Sequence, residues 1–176
     1  EAQGGKGRLR GAKINFPKVS VGATENLVMA ATLAEGRTEM FNAAQEPEVV
    51  DLCQCLISMG AQISGVGTSH LIVDGVERLG GAQHQVVADR IEAGTFMVAG
   101  AMASQSGITL NRICQDQLTG ATQKLIEAGH LVKFNKTGDS VTVQPGDAPS
   151  GCAITTAPHP GFPTDMQAPF TAMFAT

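Results

Sequence analysis

Pro47-Glu48-Val49-Val50-Asp51-Leu52-Cys53-Gln54-Cys55-Leu56-Ile57-Ser58-Met59-Gly60 reads as one helix, with proline at its opening, an apolar face of Val49, Val50, Leu52, Cys53, Leu56 and Ile57, and a glycine stop. Gln62-Ile63-Ser64 and His70-Leu71-Ile72-Val73 then read as strands joined by a turn that holds Gly65 and Gly67. Upstream, Thr24-Glu25-Asn26 precede an apolar face of Leu27, Val28, Ala30, Ala31 and Leu33 that ends at Gly36, a capped helix. Thr38 to Phe41 is a short strand. The predicted order is strand, helix, strand, helix, strand, strand.

The same pattern recurs 69 places further on, where Ala30 falls on Ala99, Asn42 on Asn111, Leu56 on Leu125, Gly60 on Gly129 and Ile72 on Val141. The second copy predicts a strand over 84–87, a helix over 91–103, a strand over 108–111, a helix over 118–128, and strands near Val132 and Val141. A third copy opens with a strand at Ala153 to Thr156 and a helix near Thr164-Asp165, unfinished at Thr176. The fold class is therefore α/β, with about two and a half repeated βαβαββ units. A repeat cut in its first helix lacks the strands it packs on, so a fragment is expected.

The 176 residues carry 12 Lys+Arg against 16 Asp+Glu, are 43% hydrophobic and 16% charged, and so have the composition of a folding chain. A net charge of −4 without a basic cluster makes nucleic acid and anionic membrane poor partners. The longest apolar stretch, Phe96 to Ala103, is too short to span a bilayer, and Glu1-Ala2-Gln3-Gly4-Gly5 has no apolar signal core, so a cytoplasmic location is expected. Cys53, Cys55, Cys114 and Cys152 lack zinc-site spacing and read as buried thiols.

Four segments carry a resemblance: Lys18-Val19-Ser20-Val21-Gly22-Ala23-Thr24, Gln45-Glu46-Pro47-Glu48-Val49-Val50-Asp51, Asp89-Arg90-Ile91-Glu92-Ala93-Gly94-Thr95-Phe96, and Pro158-His159-Pro160-Gly161-Phe162-Pro163-Thr164-Asp165-Met166-Gln167-Ala168. In this order they resemble the UDP-N-acetylglucosamine enolpyruvyl transferases of peptidoglycan synthesis, from about Gly7 to the last residue, over less than half of a full-length member. The resemblance implies inverted α/β barrel lobes built from βαβαββ units, with a hinge near Val87-Ala88-Asp89. Residues 1–86 would belong to the first lobe, on the UDP-sugar side, and 87–176 to the second, so that the piece straddles a cleft. It further implies transfer of the enolpyruvyl group of phosphoenolpyruvate to the 3-hydroxyl of UDP-N-acetylglucosamine with release of phosphate, without metal or cofactor. Such chemistry needs anion sites, a base for the sugar hydroxyl and a proton donor for the enol methylene.

Lys18 and Ser20 precede a helix start, where free N–H groups, a cation and a hydroxyl suit a diphosphate. From spacing alone, a solvated lysine beside a helix cap is the better reading. The resemblance puts Lys18, Val19, Ser20 and Val21 on the UDP-sugar contact segment. Asp165, after Phe162-Pro163-Thr164, reads from position as a capping carboxylate and from the resemblance as the general base facing the sugar hydroxyl. Asp89, beside Arg90 and Glu92, reads as part of a solvated charge cluster; the resemblance makes it line the substrate cleft. Glu46 and Glu48 read as first-turn acids rather than catalytic groups.

Pro149-Ser150-Gly151-Cys152-Ala153-Ile154 looks like the family's catalytic cysteine loop, but that loop lies upstream of the segment matching Lys18. Cys152 is therefore assigned to a strand entry. Gln45 stands where a basic residue is usual, Pro169 falls inside the last predicted helix, and the family's Lys-Asn pair, cysteine loop and C-terminal arginines have no counterpart. The chain alone is expected not to turn over, and missing segments of a parent chain count among its partners. Two other readings stay open: a shikimate-pathway enolpyruvyl transferase, and a non-catalytic nucleotide-binding module built from the same repeats.

Overall fold

The computed structural model describes residues 7–103, 106–147 and 149–175; Glu1 to Gly5 and Thr176 lie outside them. The chain divides into two compact units, Glu1–Val87 and Ala88–Thr176. In the first, β1 (Lys13–Asn15), α1 (Val21–Thr32), β2 (Arg37–Phe41), α2 (Pro47–Ser58), β3 (Gln62–Ser64) and β4 (His70–Asp74) follow one another. Its sheet has the order β1-β2-β4-β3, with β1 parallel to β2 and the other pairs antiparallel. Thr38, Met40, Leu71 and Val73 alternate inward under the helices and are buried. Arg37, Glu39 and Phe41 fall on the other face, where Arg37 Nε meets Asp74 Oδ1 at 2.7 Å and Phe41 stacks on His70. Alternation with one dry face is what a half-buried strand requires.

The second unit runs α3 (Arg90–Ala103), β5 (Ile108–Asn111), a 3-10 turn (Gln115–Leu118), α4 (Thr119–Glu127), β6 (Leu131–Phe134) and β7 (Ser140–Gln144). A second 3-10 turn (Thr164–Met166) then leads into α5 (Gln167–Phe174). Its antiparallel sheet has the order β5-β7-β6. Met97, Val98, Leu125, Val141, Val143 and Phe170 form the centre of its core. Leu56 and Leu125 occupy corresponding buried positions in α2 and α4, as the repeat predicts.

The offset is not uniform. It is 69 for α1 on α3, because Ser20 and Asp89 are the residues whose carbonyls accept from Thr24 and Ala93, and for α2 on α4, because Gly60 and Gly129 close both helices with φ of 101° and 93°. It is 70 for β2 on β5 and β4 on β7. Ala43 N–H donates to the Ser69 carbonyl as Ile113 N–H donates to the Asp139 carbonyl, and Leu71 and Val73 correspond to Val141 and Val143. The sequence pairings of Asn42 with Asn111 and Ile72 with Val141 are thus off by one. Asn42 corresponds to Arg112, the two sharing left-handed backbone at φ 58° and 60°. One extra residue between α3 and β5 is cancelled by one fewer between β5 and α4, and a second extra residue in the β6–β7 hairpin moves β7, so that the helices and β6 keep the offset of 69 while β5 and β7 take 70.

Other expectations need correction. Helix α1 starts at Val21, not after Thr24-Glu25-Asn26: the Ser20 hydroxyl accepts from Ala23 N–H at 3.3 Å, and the buried Thr24 hydroxyl is used inside, donating to the Ser20 carbonyl and accepting from Ala44 N–H. Residues 84–87 form no strand. They are held by a side chain instead, since Asp51 Oδ1 takes both His84 Nε2 at 2.9 Å and Val87 N–H at 3.2 Å. Ala153 to Thr156 is not a strand either; Thr156 makes one isolated bridge, to Phe162. Pro169 does not interrupt α5, because it is the third residue of that helix, where its missing N–H would have had no partner.

Candidate functional site

Lys18, Val19, Ser20 and Val21 form the entry to α1. Ser20 has extended backbone and caps the helix, which leaves Val21 and Gly22 as the N–H groups that helix geometry frees. Val19 and Val21 pack partly against the first unit's core, so the segment is anchored by apolar side chains at alternate positions. Lys18 is exposed, and no other described residue pairs with it. Thr24 fastens this start to the Ala43-Ala44 turn that precedes α2. A cation, a hydroxyl and open N–H groups on a fixed helix start can take up an anion.

Acidic residues from two helix starts lie close by. Burial and the like charges of Glu48 and Glu46 push the Glu25 carboxyl above its usual range. Glu46 is buried at the N-cap of α2, its carbonyl accepting from Val49 and Val50 N–H. The signal was present as three glutamates at two helix starts, but only folding brings those starts together.

Asp89 caps α3, its Oδ1 accepting from Ile91 N–H at 2.8 Å and Glu92 N–H at 3.0 Å. It also borders an open cleft of about 500 Å³ between α3 and β5, together with Glu92, Phe96 and Arg112. Asp165 sits in the 3-10 turn before α5 and is exposed. Its carboxylate makes no capping bond, and no other described residue pairs with it, so its position comes from the residues on either side. Met166 is buried against α3, at a point where a Cβ on Gly94 would lie 2.7 Å from the methionine methyl group. Phe162 packs edge-on to Phe170 at 5.2 Å, and Ala157 N–H donates to the Phe162 carbonyl. These contacts clamp both ends of the Pro158–Met166 loop.

A cavity of about 220 Å³ in this unit is walled by Arg90, Ile91, Asp116, His159, Pro163 and Met166. Arg90 adjoins Asp89, and Pro163 and Met166 flank Asp165. The structure thus gathers the termini of α3 and α5 around one cavity, with carboxylates beside its walls. The Cys152 Sγ lies 3.7 Å from the Lys124 carbonyl, and burial pushes its thiol above the ordinary value. A nucleophilic cysteine needs the opposite shift. Among the described residues, no cluster of three His, Cys, Asp or Glu side chains could hold a metal ion, and no helix is long and apolar enough to cross a membrane.

Comparison with known proteins extends this picture. Residues 1–176 match the EPSP synthase (3-phosphoshikimate 1-carboxyvinyltransferase) family. The UDP-N-acetylglucosamine 1-carboxyvinyltransferase of Akkermansia muciniphila is 54% identical over 171 residues, 96% of this chain and 40% of that protein. The protein of the same name from Actinobacillus pleuropneumoniae serotype 5b is 53% identical over 168 residues, 95% of this chain and 39% of that protein. Among solved structures, the enolpyruvyl transferase NikO from Streptomyces tendae aligns with a TM-score of 0.76 at 20% identity, over 96% of this chain and 42% of its own. EPSP synthase from Acinetobacter baumannii aligns with a TM-score of 0.60 at 20% identity, over 96% and 37%. The chain spans about 40% of the length of the curated relatives it matches.

Proposed function

The chain belongs to the EPSP synthase (3-phosphoshikimate 1-carboxyvinyltransferase) family, and from that premise we propose that it contributes to an enzyme that moves the enolpyruvyl group of phosphoenolpyruvate onto the 3-hydroxyl of UDP-N-acetylglucosamine. The observation that carries this reading is the 54% identity, over 171 residues, to a relative named for that acceptor. In the reaction the sugar oxygen forms a bond to the central carbon of phosphoenolpyruvate as its methylene carbon takes up a proton. The C–O bond to phosphate then breaks and the methylene proton is lost, restoring the double bond.

Each residue has a part consistent with its surroundings. Lys18 and the N–H groups at the start of α1 receive the diphosphate, with Val19, Ser20 and Val21 shaping the contact. Asp89 borders the substrate cleft. Asp165, exposed and supported by buried Met166, accepts the proton of the sugar hydroxyl. Residues 1–86 and 87–176 belong to different lobes joined at a hinge near 87–89. The setting is the cytoplasmic stage of peptidoglycan synthesis, where the acceptor is a soluble nucleotide sugar.

Hydrogen exchange with added ligand tests the binding half. UDP-N-acetylglucosamine at millimolar concentration is expected to slow exchange at Val21 and Gly22, and shikimate 3-phosphate to leave both unchanged. Equal protection by the two, or protection by neither in a chain whose β2 and β4 amides stay protected, contradicts the assignment.

A further inference from the structure

Asp51 has no part in the proposed chemistry, yet it is a mostly buried carboxylate inside a helix. It belongs to α2, its side chain is 16% exposed, and its Oδ1 takes both His84 Nε2 at 2.9 Å and Val87 N–H at 3.2 Å. A carboxylate only accepts, so His84 presents Nε2 with its proton. The His84 side chain is itself 18% exposed, so these bonds are made largely out of water. Among the described residues, no other hydrogen bond holds Gly81 to Val87. At the near end, Leu79 packs on the first unit's core and Gly80 N–H donates to the Met59 carbonyl at 2.8 Å; beyond it Ala82, Gln83, Gln85 and Val86 are exposed. Val87 is also the last residue of the first unit. The second unit has Gly120 where the repeat puts Asp51, and the coil after its sheet is held differently, by Lys124 Nζ on the Ala153 carbonyl at 2.6 Å. The repeat therefore forms without a carboxylate at this point.

We propose that Asp51 is a latch on the connection between the two units: it fastens the stretch from Gly81 to Val87 to α2, so that this stretch moves with the first unit and bending is confined to the Val87–Ala88 junction. Two donors converge on one charged acceptor, and each such bond is stronger than a neutral one. Their loss frees the whole stretch at once, because no other hydrogen bond among the described residues ties it down. A free chain of about seven residues spans about 15 Å, whereas a single junction offers only the dihedrals of its two residues. The same carboxylate accounts for the missing strand over 84–87, since Val87 N–H, a donor that a ladder would use, is committed to a side chain.

The test uses the whole chain, by amide exchange and amide relaxation. Asp51→Ala is expected to speed exchange at Val87 by about 10- to 100-fold, the size of a hydrogen bond to a charged group, and to lower the order parameters of 83–87 below about 0.6. The tumbling times of the two units should separate further in the same variant, a change that a residue serving only the fold of α2 does not produce. Asp51→Asn, which keeps an acceptor oxygen, is expected to hold Val87 within about threefold of its native exchange rate. His84→Ala, which leaves α2 untouched, removes one donor and is expected to speed Val87 by about 3- to 10-fold. Val87 exchange that is unchanged in both alanine variants, or accelerated only together with the α2 and β4 amides, overturns the proposal. The consequence for turnover rests on the UDP-sugar reading. In a full-length hybrid carrying this chain in place of the 171 matched residues of the A. muciniphila relative, Asp51→Ala is expected to lower kcat by about tenfold or more and to keep KM for UDP-N-acetylglucosamine within about threefold, because Lys18 to Val21 lie on the first unit and Asp165 on the second. An unchanged kcat overturns the latch's part in turnover. An unsubstituted hybrid without activity overturns the UDP-sugar reading instead, with the exchange at Val87 still deciding the latch.

Discussion

His130 in the second unit's core is 5% exposed, and its Nδ1 accepts from Gly146 N–H at 3.4 Å, so burial favours the neutral ring and pulls its pKa below 6.5. The unfolded chain then binds the proton more readily than the folded one. The stabilisation is complete above about pH 6.5 and is lost as pH falls toward the folded value. Urea midpoints of this unit should drop on acidification below 6.5, and His130→Gln should flatten that slope. Glu25 has the opposite sign. Its raised pKa means that the folded state binds protons more readily just above 4.5, so stability rises as pH falls through that range. Glu25→Gln should raise the melting temperature at pH 7, with a gain that shrinks toward pH 4. Two thiols give a third outcome at this scale: buried Cys53, pushed up to about 11, and half-buried Cys152, also raised, should react with iodoacetamide at pH 7.5 more slowly than a free cysteine, and a fast-reacting Cys152 would reopen a catalytic role.

Helix pairs were the most legible part of the sequence, because a helix buries one stripe and its glycine stop is fixed by backbone conformation. Leu125→Ala should therefore cost about 2–5 kcal/mol, as cavities in such cores do, and a denaturant titration measures it. Gly94 carries a less visible requirement: a Cβ there meets Met166, so Gly94→Val should destabilise the second unit and displace the loop that carries Asp165. Strands were harder to place. A one-residue slip keeps the apolar count while exchanging faces, and only the ladder distinguishes an offset of 69 from 70. Residues 84–87 have strand-like composition, but strands exist through partners, and the Asp51 carboxylate took that place. The start of α1 is ambiguous in the sequence because both Ser20 and Thr24 are capping types, and the inward use of the Thr24 hydroxyl decides between them.

At the scale of the molecule, the duplication was visible in the chain, and so were the segments that carry Lys18, Asp89 and Asp165. Hidden from it were the supports of those residues: the glutamates facing Glu25, the seat of Met166 on Gly94 and the open edge of β5. Each depends on residues far apart in sequence. Because the chain spans about 40% of the A. muciniphila relative, its chemistry is best read in a hybrid, with this chain replacing the matched 171 residues. Phosphate release from phosphoenolpyruvate is measured with UDP-N-acetylglucosamine or shikimate 3-phosphate as acceptor, in the hybrid and in its Asp165→Asn variant. The expected result is turnover with the nucleotide sugar alone and a loss of about 10²–10⁴-fold in the variant with sugar binding kept, since asparagine preserves size but takes no proton. A folded hybrid that prefers shikimate 3-phosphate, or that keeps within about threefold of its rate after Asp165→Asn, contradicts the account.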